Sequence, residues 1–280
     1  MKKILFSLVF FITSLLSNEL QEAIDNASEG SIITLSKGEY HGNIVINKAL
    51  VIDGIDKKAK IIGDGKGSVI SIKKSNVVIK NLSIENSGFS VEKIDSAIHA
   101  KEVNNITIEN NHISDSLFGI NFEQVNRSKI VDNFITSKDL ELGIRGDGIR
   151  LWNSHDNQLF ANRLYKSRDF VLWYSSGNNI ENNYGSYNRY SLHFMHAGRN
   201  MVRNNFFEYN SVGIFFMYSS GTIAIGNTVK NSLGAFGVGI GMKDSSDFTL
   251  LENNLIYNPR GLYLDQSPYH PRTVNVFERN

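Results

Sequence analysis

The stretch that decides the fold runs from residue 147 to 231 and contains four copies of one pattern. The copies are DGIRLWNSHDNQLFANRLYKS (147–167), DFVLWYSSGNNIENNYGSYN (169–188), YSLHFMHAGRNMVRNNFFEYN (190–210) and VGIFFMYSSGTIAIGNTVKN (212–231). Each copy contains a short alternating run, a turn of Ser, Gly, Asn or Asp, a second run and then an Asn. Such runs, two to five residues long and bounded by turn residues, predict short β-strands. Because no helical period lies between them, they do not predict βαβ units. The pattern is typical of the coils of a solenoid.

Two residue ladders extend this period along the chain. One is made of Asn, with intervals of 22, 29, 21, 22, 22, 27 and 26 residues, and consists of Asn111, Asn133, Asn162, Asn183, Asn205, Asn227, Asn254 and Asn280. The other is aliphatic and mostly preceded by Gly, and consists of Ile98, Ile120, Ile149, Val171, Leu192, Ile214, Ile240 and Leu262. A shared period of about 22 residues predicts an all-β, single-stranded right-handed parallel β-helix over residues 31–280, in which each strand pairs with its copy in the next coil. We interpret the Asn ladder as structural, because stacked Asn amides bond to one another at sharp turns.

The two ends of the chain differ from the repeats. Lys2 and Lys3 precede an apolar run over residues 4–16, which predicts an export signal over residues 1–17 and a periplasmic location. Residues 18–30 are predicted to cap the first coil with a short helix, since the stretch LQEAIDNA (20–27) has apolar residues at helical spacing. The stretch VNVFERN (274–280) reads as the start of another coil with no cap after it, so we expect the sequence to be truncated at its C-terminal end.

The amino-acid composition limits the functions and the kinds of stabilisation that the chain could have. The 29 Lys and Arg residues balance the 28 Asp and Glu residues, which gives no electrostatic basis for binding nucleic acid. The chain contains 0 Cys, so an exported form has no disulfides and must be stabilised by packing and hydrogen bonds.

Several stretches of the chain resemble a known family. They are LQEAIDNASEGSIITLSKGEYHGNIVINKALVIDG (20–54), RGDGIRLWNS (145–154), LHFMHA (192–197), IFFMYSS (214–220), GVGIGMKDS (237–245) and GLYLDQSPYHP (261–271). Together they resemble the periplasmic NosD-type maturation protein of nitrous-oxide reductase over essentially the whole chain after the signal. The repeats are shared with pectinases and alginate epimerases, whereas the coils rich in Met and aromatic residues and the run YLDQSPYHP are more specific. The chain departs from the family in stopping at residue 280, where further coils and a C-terminal cap are expected.

The resemblance implies a function. It predicts an accessory protein, not an enzyme, that binds copper or a related cargo and works with the membrane and ATPase components of an ABC-type transporter. The resemblance also implies that nitrous-oxide reductase, whose copper centre is being assembled, or a copper chaperone is a partner.

Strand alternation predicts which side chains point inward and which point outward. The inward positions of the four coils are assigned to Ile149 and Leu151, Val171 and Trp173, Leu192 and Phe194, and Ile214 and Phe216. An outward column is then expected at Trp152, Tyr174, Met195 and Met217, with Leu172, His193 and Phe215 beside it and His196 and Tyr218 one step further on. An apolar outer column is unusual for a half-exposed strand, which favours a surface that binds a partner. We assign this role to Trp152, Leu172, Tyr174, Phe215 and Tyr218. Alternatively, the insertion at 137–146 or the one at 232–236 folds over the column.

The same column concentrates soft metal ligands. His193, Met195 and His196 lie on one strand, and Met217 is expected one coil away from Met195. Thioether and imidazole ligands suit Cu(I), so the predicted metal site consists of His193, Met195, His196 and Met217. The competing interpretation of each Met is core packing, and Met242 is assigned to the core because it falls in the inward position of Phe216.

Two carbohydrate-related alternatives stay open. A polysaccharide lyase, hydrolase or epimerase needs carboxylates close together, and Asp147 and Asp169 fall in one column next to Arg145 and Arg168. No tight Asp pair or strand-borne Lys or Arg set is apparent, so no catalytic residue is assigned. A passive carbohydrate-binding β-helix would instead use exposed aromatic residues beside polar hydrogen-bonding groups.

Overall fold

The computed structural model describes residues 9–12 and 19–280, with side chains from residue 19 onward. These residues form 32 strands in three parallel sheets, and each complete coil contributes one strand to each sheet. The prediction of an all-β parallel β-helix with one short N-terminal helix is therefore confirmed. The predicted export signal lies outside the described residues apart from Val9–Ile12, which pairs with Ile32–Leu35. Within the described ranges, no helix is long and apolar enough to cross a membrane.

The strands are numbered in chain order. Sheet A contains β1 (Val9–Ile12), β2 (Ile32–Leu35), β5 (Val51–Asp53), β8 (Val78–Lys80), β11 (Thr107–Glu109), β14 (Lys129–Val131), β17 (Gln158–Phe160), β20 (Asn179–Glu181), β23 (Met201–Arg203), β26 (Ile223–Ile225), β29 (Thr249–Leu251) and β32 (Val276–Glu278). Sheet B contains β3 (Gly38–His41), β6 (Ala59–Ile62), β9 (Leu82–Glu85), β12 (His112–Ser116), β15 (Phe134–Ser137), β18 (Arg163–Tyr165), β21 (Tyr184–Ser186), β24 (Phe206–Glu208), β27 (Thr228–Lys230) and β30 (Asn254–Ile256).

Sheet C carries the face on which the candidate site lies. It contains β4 (Ile44–Ile46), β7 (Ile70–Ile72), β10 (Ser96–Lys101), β13 (Phe118–Glu123), β16 (Ile149–Trp152), β19 (Asp169–Trp173), β22 (Tyr190–Met195), β25 (Val212–Met217), β28 (Val238–Lys243) and β31 (Arg260–Asp265).

The helix α1 (Glu19–Asn26) closes the first coil. Leu20 and Ile24 are buried against the core, while Gln21 bonds to both backbone groups of Val45 in the edge strand β4: its Nε2 donates to the carbonyl oxygen (3.1 Å) and its Oε1 accepts from the amide (2.8 Å). An edge strand with satisfied backbone groups is a poor template for pairing with another chain. The predicted helical cap is therefore confirmed.

The Asn ladder holds the corner between sheets A and B. The Nδ2 of Asn183 donates to the Oδ1 of Asn205 (3.0 Å) and to the carbonyl oxygen of Leu159 (2.9 Å), and Asn162 and Asn205 make the equivalent pair of bonds in their own coils. These buried amides satisfy backbone carbonyl groups that would otherwise lack partners. The left-handed backbone falls on the residue before the ladder member, as at Asn182 (φ 56°), and not on the ladder Asn itself.

The assignment of Asn254 to the Asn ladder is wrong. Asn253, and not Asn254, bonds to both Asn227 (2.9 Å) and Asn280 (2.7 Å), while Asn254 is exposed at the start of β30. The two adjacent Asn residues fit the period almost equally well, and only the inward direction of the first decides between them. The intervals at this end are therefore 26 and 27 residues.

Aliphatic and aromatic side chains stack along the axis to form the core. Phe216 lies between Phe194 (ring centroids 4.8 Å apart) and Phe248 (4.6 Å), and Met242 is fully buried in register with Phe216. The assignment of Met242 to the core is confirmed. Each fully buried side chain of this size stabilises the fold by about 1.5–3 kcal/mol.

Candidate functional site

The register of sheet C decides which side chains reach its outer face. The prediction is right for the coils that contain β16, β22 and β25 but wrong for β19, where Phe170 and Leu172 point inward in place of Val171 and Trp173. In β22, two residues, Ser191 and Leu192, lie opposite the single residue Phe170, which is a one-residue bulge. A strict 22-residue spacing conceals this bulge, and an error of one residue moves every side chain of a strand to the other face.

The correction changes the outward columns. Trp152, Trp173, Met195 and Met217 lie in register in four consecutive coils, so Trp173 takes the place predicted for Tyr174. Leu172 is fully buried in the core, and its assignment to a partner-binding surface is wrong.

Tyr174 instead joins His196 and Tyr218, which were predicted one step beyond the column, in a separate stack at the corner. The ring of His196 lies between the rings of Tyr174 (centroids 5.1 Å apart, 5° between planes) and Tyr218 (5.0 Å, 16°). All three have a left-handed backbone, with φ between 49° and 51°, and all three are exposed. The ring faces are occupied by one another, so only the edge of the His196 imidazole is free to bind a ligand.

His196 also opens into a different depression from the one that contains His193 and Met195. Its neighbours there are Tyr218, Asp244, Gln266, Tyr269 and His270. The structure thus groups three of the four predicted metal ligands on the sheet and leaves His196 at the corner beside them.

A groove of about 380 Å³ runs over sheet C. Val91 and Ile94, from the loop between β9 and β10, line it together with Phe118. The insertion at 232–236 borders the face at Phe215, because Phe236 lines a neighbouring depression with Phe215 and Tyr263. We divide the outer face into a charged half (Asp147, Arg150, Arg168, Asp169 and Arg189) and a thioether half (Trp173, His193, Met195, Phe215 and Met217).

Ion pairs fill the charged half. The Nε of Arg168 donates to Oδ1 of Asp147 (3.0 Å), and Arg189 uses Nε (2.9 Å to Oδ1) and Nη2 to bind both carboxylate oxygens of Asp169. Arg150 donates to Asn121 Oδ1 (2.9 Å). These pairs could have been predicted from the sequence, because each Asp is followed by an Arg after 21 or 20 residues, which is close to the length of one coil.

The two carboxylates of the charged half have opposite pKa shifts. Burial, assisted by the charge of Asp169, raises the pKa of Asp147 to about 6 against the opposing effect of Arg168. Burial would also raise the pKa of Asp169, but hydrogen bonds from His193 and Arg189 outweigh it and lower that pKa below its ordinary value. Asp169 is therefore a carboxylate at neutral pH.

The thioether half is built around His193. Its Nε2 lies 3.2 Å from Met217 Sδ and its Nδ1 lies 3.4 Å from Asp169 Oδ2, while the ring of Tyr190 covers one face (centroids 4.6 Å apart). Met195 is in register with Met217, and both are half-buried. An imidazole and thioethers at this spacing are a donor set suited to a soft cation.

A site of harder ligands is not apparent nearby. Over residues 19–280, no three His, Asp or Glu side chains are grouped so that they could hold a metal ion. The thioether half itself offers one imidazole and two thioethers as candidate metal donors.

The phenyl ring of Phe215 completes the surface. It lies over Gly241, where an added Cβ would approach the ring to 2.4 Å, so a side chain at position 241 would displace it. Trp152 packs on Trp173 (centroids 5.1 Å apart), and both are half-buried. Of the residues predicted to bind a partner, Trp152, Tyr174, Phe215 and Tyr218 reach the outer face, and Tyr174 contacts Trp152 (ring centroids 5.3 Å apart).

The sequence of the chain matches a known protein family. A sequence model of the family described as "Periplasmic copper-binding protein (NosD)" matches residues 136–280, which is more than half of the chain. The chain belongs to the NosD family. The matched residues include the whole thioether half.

A curated relative matches a shorter part. A cell surface glycoprotein from Methanothermus fervidus is 32% identical over 106 residues, which cover 37% of this chain and 17% of that protein. The matched stretch is thus less than a fifth of the length of that relative.

Three solved structures with similar folds have names that describe action on carbohydrates. An alginate lyase from Paenibacillus has a TM-score of 0.69 at 16% identity (91% of this chain, 99% of that chain), and a family 28 exopolygalacturonase from Yersinia enterocolitica has 0.69 at 12% (94% and 67%). The A-module of a mannuronan C-5 epimerase from Azotobacter vinelandii has 0.55 at 15% (93% and 96%). At these identities the similarity shows the fold alone.

Proposed function

We propose that this NosD-family protein is a periplasmic accessory protein that takes up Cu(I) as cargo on the thioether half of sheet C. The observation that carries the proposal is the approach of His193 Nε2 to Met217 Sδ at 3.2 Å, with Met195 in register beside them. Soft cations prefer thioether and imidazole donors, whereas Ca²⁺ and Mg²⁺ prefer oxygen. A chain without Cys has no thiolate alternative.

The surroundings of the thioether half fit transfer to a partner. Trp152, Trp173 and Phe215 lie on strands of sheet C and Tyr218 lies at the corner after β25, and aromatic residues of this kind are enriched in protein interfaces. We infer that a copper donor or acceptor docks on these aromatic residues: a copper chaperone, nitrous-oxide reductase, or the ABC-type transporter that works in assembling its copper centre. The identity of these partners rests on the family resemblance.

Metal-binding stoichiometry tests the proposal directly. Native mass spectrometry of the protein loaded anaerobically with Cu(I) is expected to show one bound ion, and loading with Mg²⁺ or Ca²⁺ is expected to show none. Absence of bound Cu(I) under conditions that keep the protein folded would contradict the copper function.

A second candidate function rests on the charged half. Two carboxylates and three guanidinium groups line the groove together with Tyr190 and Trp173, a combination of polar groups and aromatic rings that suits a sugar. Binding of a glycan in this groove is therefore the alternative to metal uptake.

We propose that the groove does not cleave glycans. A general acid or base must be within hydrogen-bond reach of substrate, yet Asp147 is buried against Arg168, and both oxygens of Asp169 accept bonds from Arg189. Incubation with alginate or polygalacturonate is expected to release no reducing ends and no unsaturated uronates. Turnover that disappears in an Asp147→Ala variant would contradict this expectation.

A further inference from the structure

Both ring nitrogens of His193 face a specific partner. Nδ1 lies 3.4 Å from Asp169 Oδ2, and Nε2 lies 3.2 Å from Met217 Sδ. The residue is only 5% exposed, and the ring of Tyr190 stacks on it. Water therefore has little access to either nitrogen, so the partners determine where the ring proton resides.

Asp169 is held as an acceptor. Its oxygens accept from Nε and Nη2 of Arg189 and from the backbone amide of Tyr190 (3.3 Å). An ionised carboxylate has no proton to donate, so its contact with the imidazole is favourable only when Nδ1 carries the hydrogen. In the neutral ring, Nε2 then presents a lone pair.

That lone pair points at another lone pair. The thioether of Met217 is a weak acceptor with no hydrogen of its own. In this tautomer the two electron-pair donors lie 3.2 Å apart with no hydrogen bond between them. A soft cation that accepts both lone pairs would remove this conflict.

We propose that Asp169, clamped by Arg189, is a positioning residue that fixes His193 in the Nδ1–H tautomer and aims Nε2 and the Met217 sulfur at one soft-cation position. This inference rests on the proposed copper uptake at His193 and Met217. Histidine ligands in metal sites generally donate their second ring N–H to such a carboxylate or carbonyl partner.

The bulge in β22 creates this contact. Asp169 is opposite Tyr190, whereas Val171 is opposite His193, so the extra residue changes the pairing between these two positions. Asp147, the other buried carboxylate of the groove, instead bonds to Arg168. Asp169 alone among the carboxylates that line this groove therefore bonds to the ligand histidine.

Nitrogen NMR of the metal-free protein tests the tautomer without any variant. In ¹⁵N-labelled protein at a pH where the imidazole is neutral, the side-chain signals of His193 are expected to show a protonated Nδ1 and an unprotonated Nε2. A protonated Nε2, with the hydrogen directed at Met217, would overturn the proposal.

The variant Asp169→Asn tests the cause. Arg189 is expected to keep the amide oxygen, so the amide NH₂ faces Nδ1 and favours the Nε2–H tautomer. Cu(I) affinity should then fall about 10- to 100-fold, as for other lost carboxylate partners of metal-binding histidines. The control Asp53→Asn removes a carboxylate that pairs with Lys80 (3.0 Å) on sheet A, and it should change neither the His193 signals nor the affinity.

The outcomes separate the two proposals. Wild-type protein that shows the Nδ1–H tautomer but binds no Cu(I) would overturn the copper function. Wild-type protein that binds Cu(I), together with an Asp169→Asn variant of unchanged tautomer and affinity, would overturn the positioning role alone.

Discussion

The charged half and the thioether half of sheet C lie side by side on overlapping coils of the same solenoid, yet their side chains are satisfied in different ways. In the charged half, Asp147 pairs with Arg168 and Asp169 with Arg189. In the thioether half, the sulfurs of Met195 and Met217 face outward on the strands with no charged partner of their own, and His193 alone links the halves. Buried polar groups need partners to be stable. A half whose groups are paired internally supports the scaffold, and a half with unused donors has capacity for a ligand.

The largest effect should follow from breaking a pair in the charged half. Arg168→Ala leaves the carboxylate of Asp147 buried without a counterion, and removing one partner of a buried ion pair typically lowers the free energy of unfolding by about 3–5 kcal/mol. We expect a loss at the low end of this range, because Arg168 is partly exposed. Urea unfolding at neutral pH measures the change. Adding Asp147→Asn should recover most of the stability, and a double variant as unstable as the single one would contradict the pairing account.

A second, smaller effect is expected in the pH dependence of the free energy of unfolding. Because the pKa of Asp147 is raised in the folded protein, the unfolded chain releases this proton first as pH rises. The free energy of unfolding should therefore fall between about pH 4 and pH 6 and change no further with this group above that range. A folded pKa of about 6 against the usual 3.8 corresponds to at most about 3 kcal/mol.

A variant of Asp147 tests whether this residue causes the pH dependence. Arg168 and Arg150 oppose the rise in pKa, and Asp169 reinforces it. In Asp147→Asn the difference in stability between pH 4 and pH 6 should become smaller, because the group no longer titrates. An unchanged difference would show that other carboxylates cause it.

Much of the fold could be predicted from the sequence because its period is repeated many times. The Asn ladder and the aliphatic ladder each fix the coil length, and an error at one position, such as Asn254 for Asn253, leaves the architecture unchanged. The inward residues of three coils were also predicted correctly, because strand alternation holds within each short run.

The candidate site was less predictable because it depends on single residues. The bulge at Ser191 shifts one coil by one position, which reversed Leu172 and Trp173 between core and surface. A repeat pattern averages over coils and cannot show such a shift. The approach of His193 to Met217 was nevertheless predicted, because β22 pairs with β25 without a register shift.

The most direct measurement of the central claim is the Cu(I) affinity of the double variant Met195→Leu, Met217→Leu, determined by competition with a chromophoric chelator. Leu matches Met in volume and apolarity, so each exchange should lower the free energy of unfolding by less than about 1.5 kcal/mol and leave the fold intact. Met242→Leu, in the core, is the matched control and should retain Cu(I) binding. The account predicts that the double variant loses Cu(I) uptake while remaining folded. An affinity equal to that of the wild type would contradict a metal site on the thioether half and leave this face as a docking surface only.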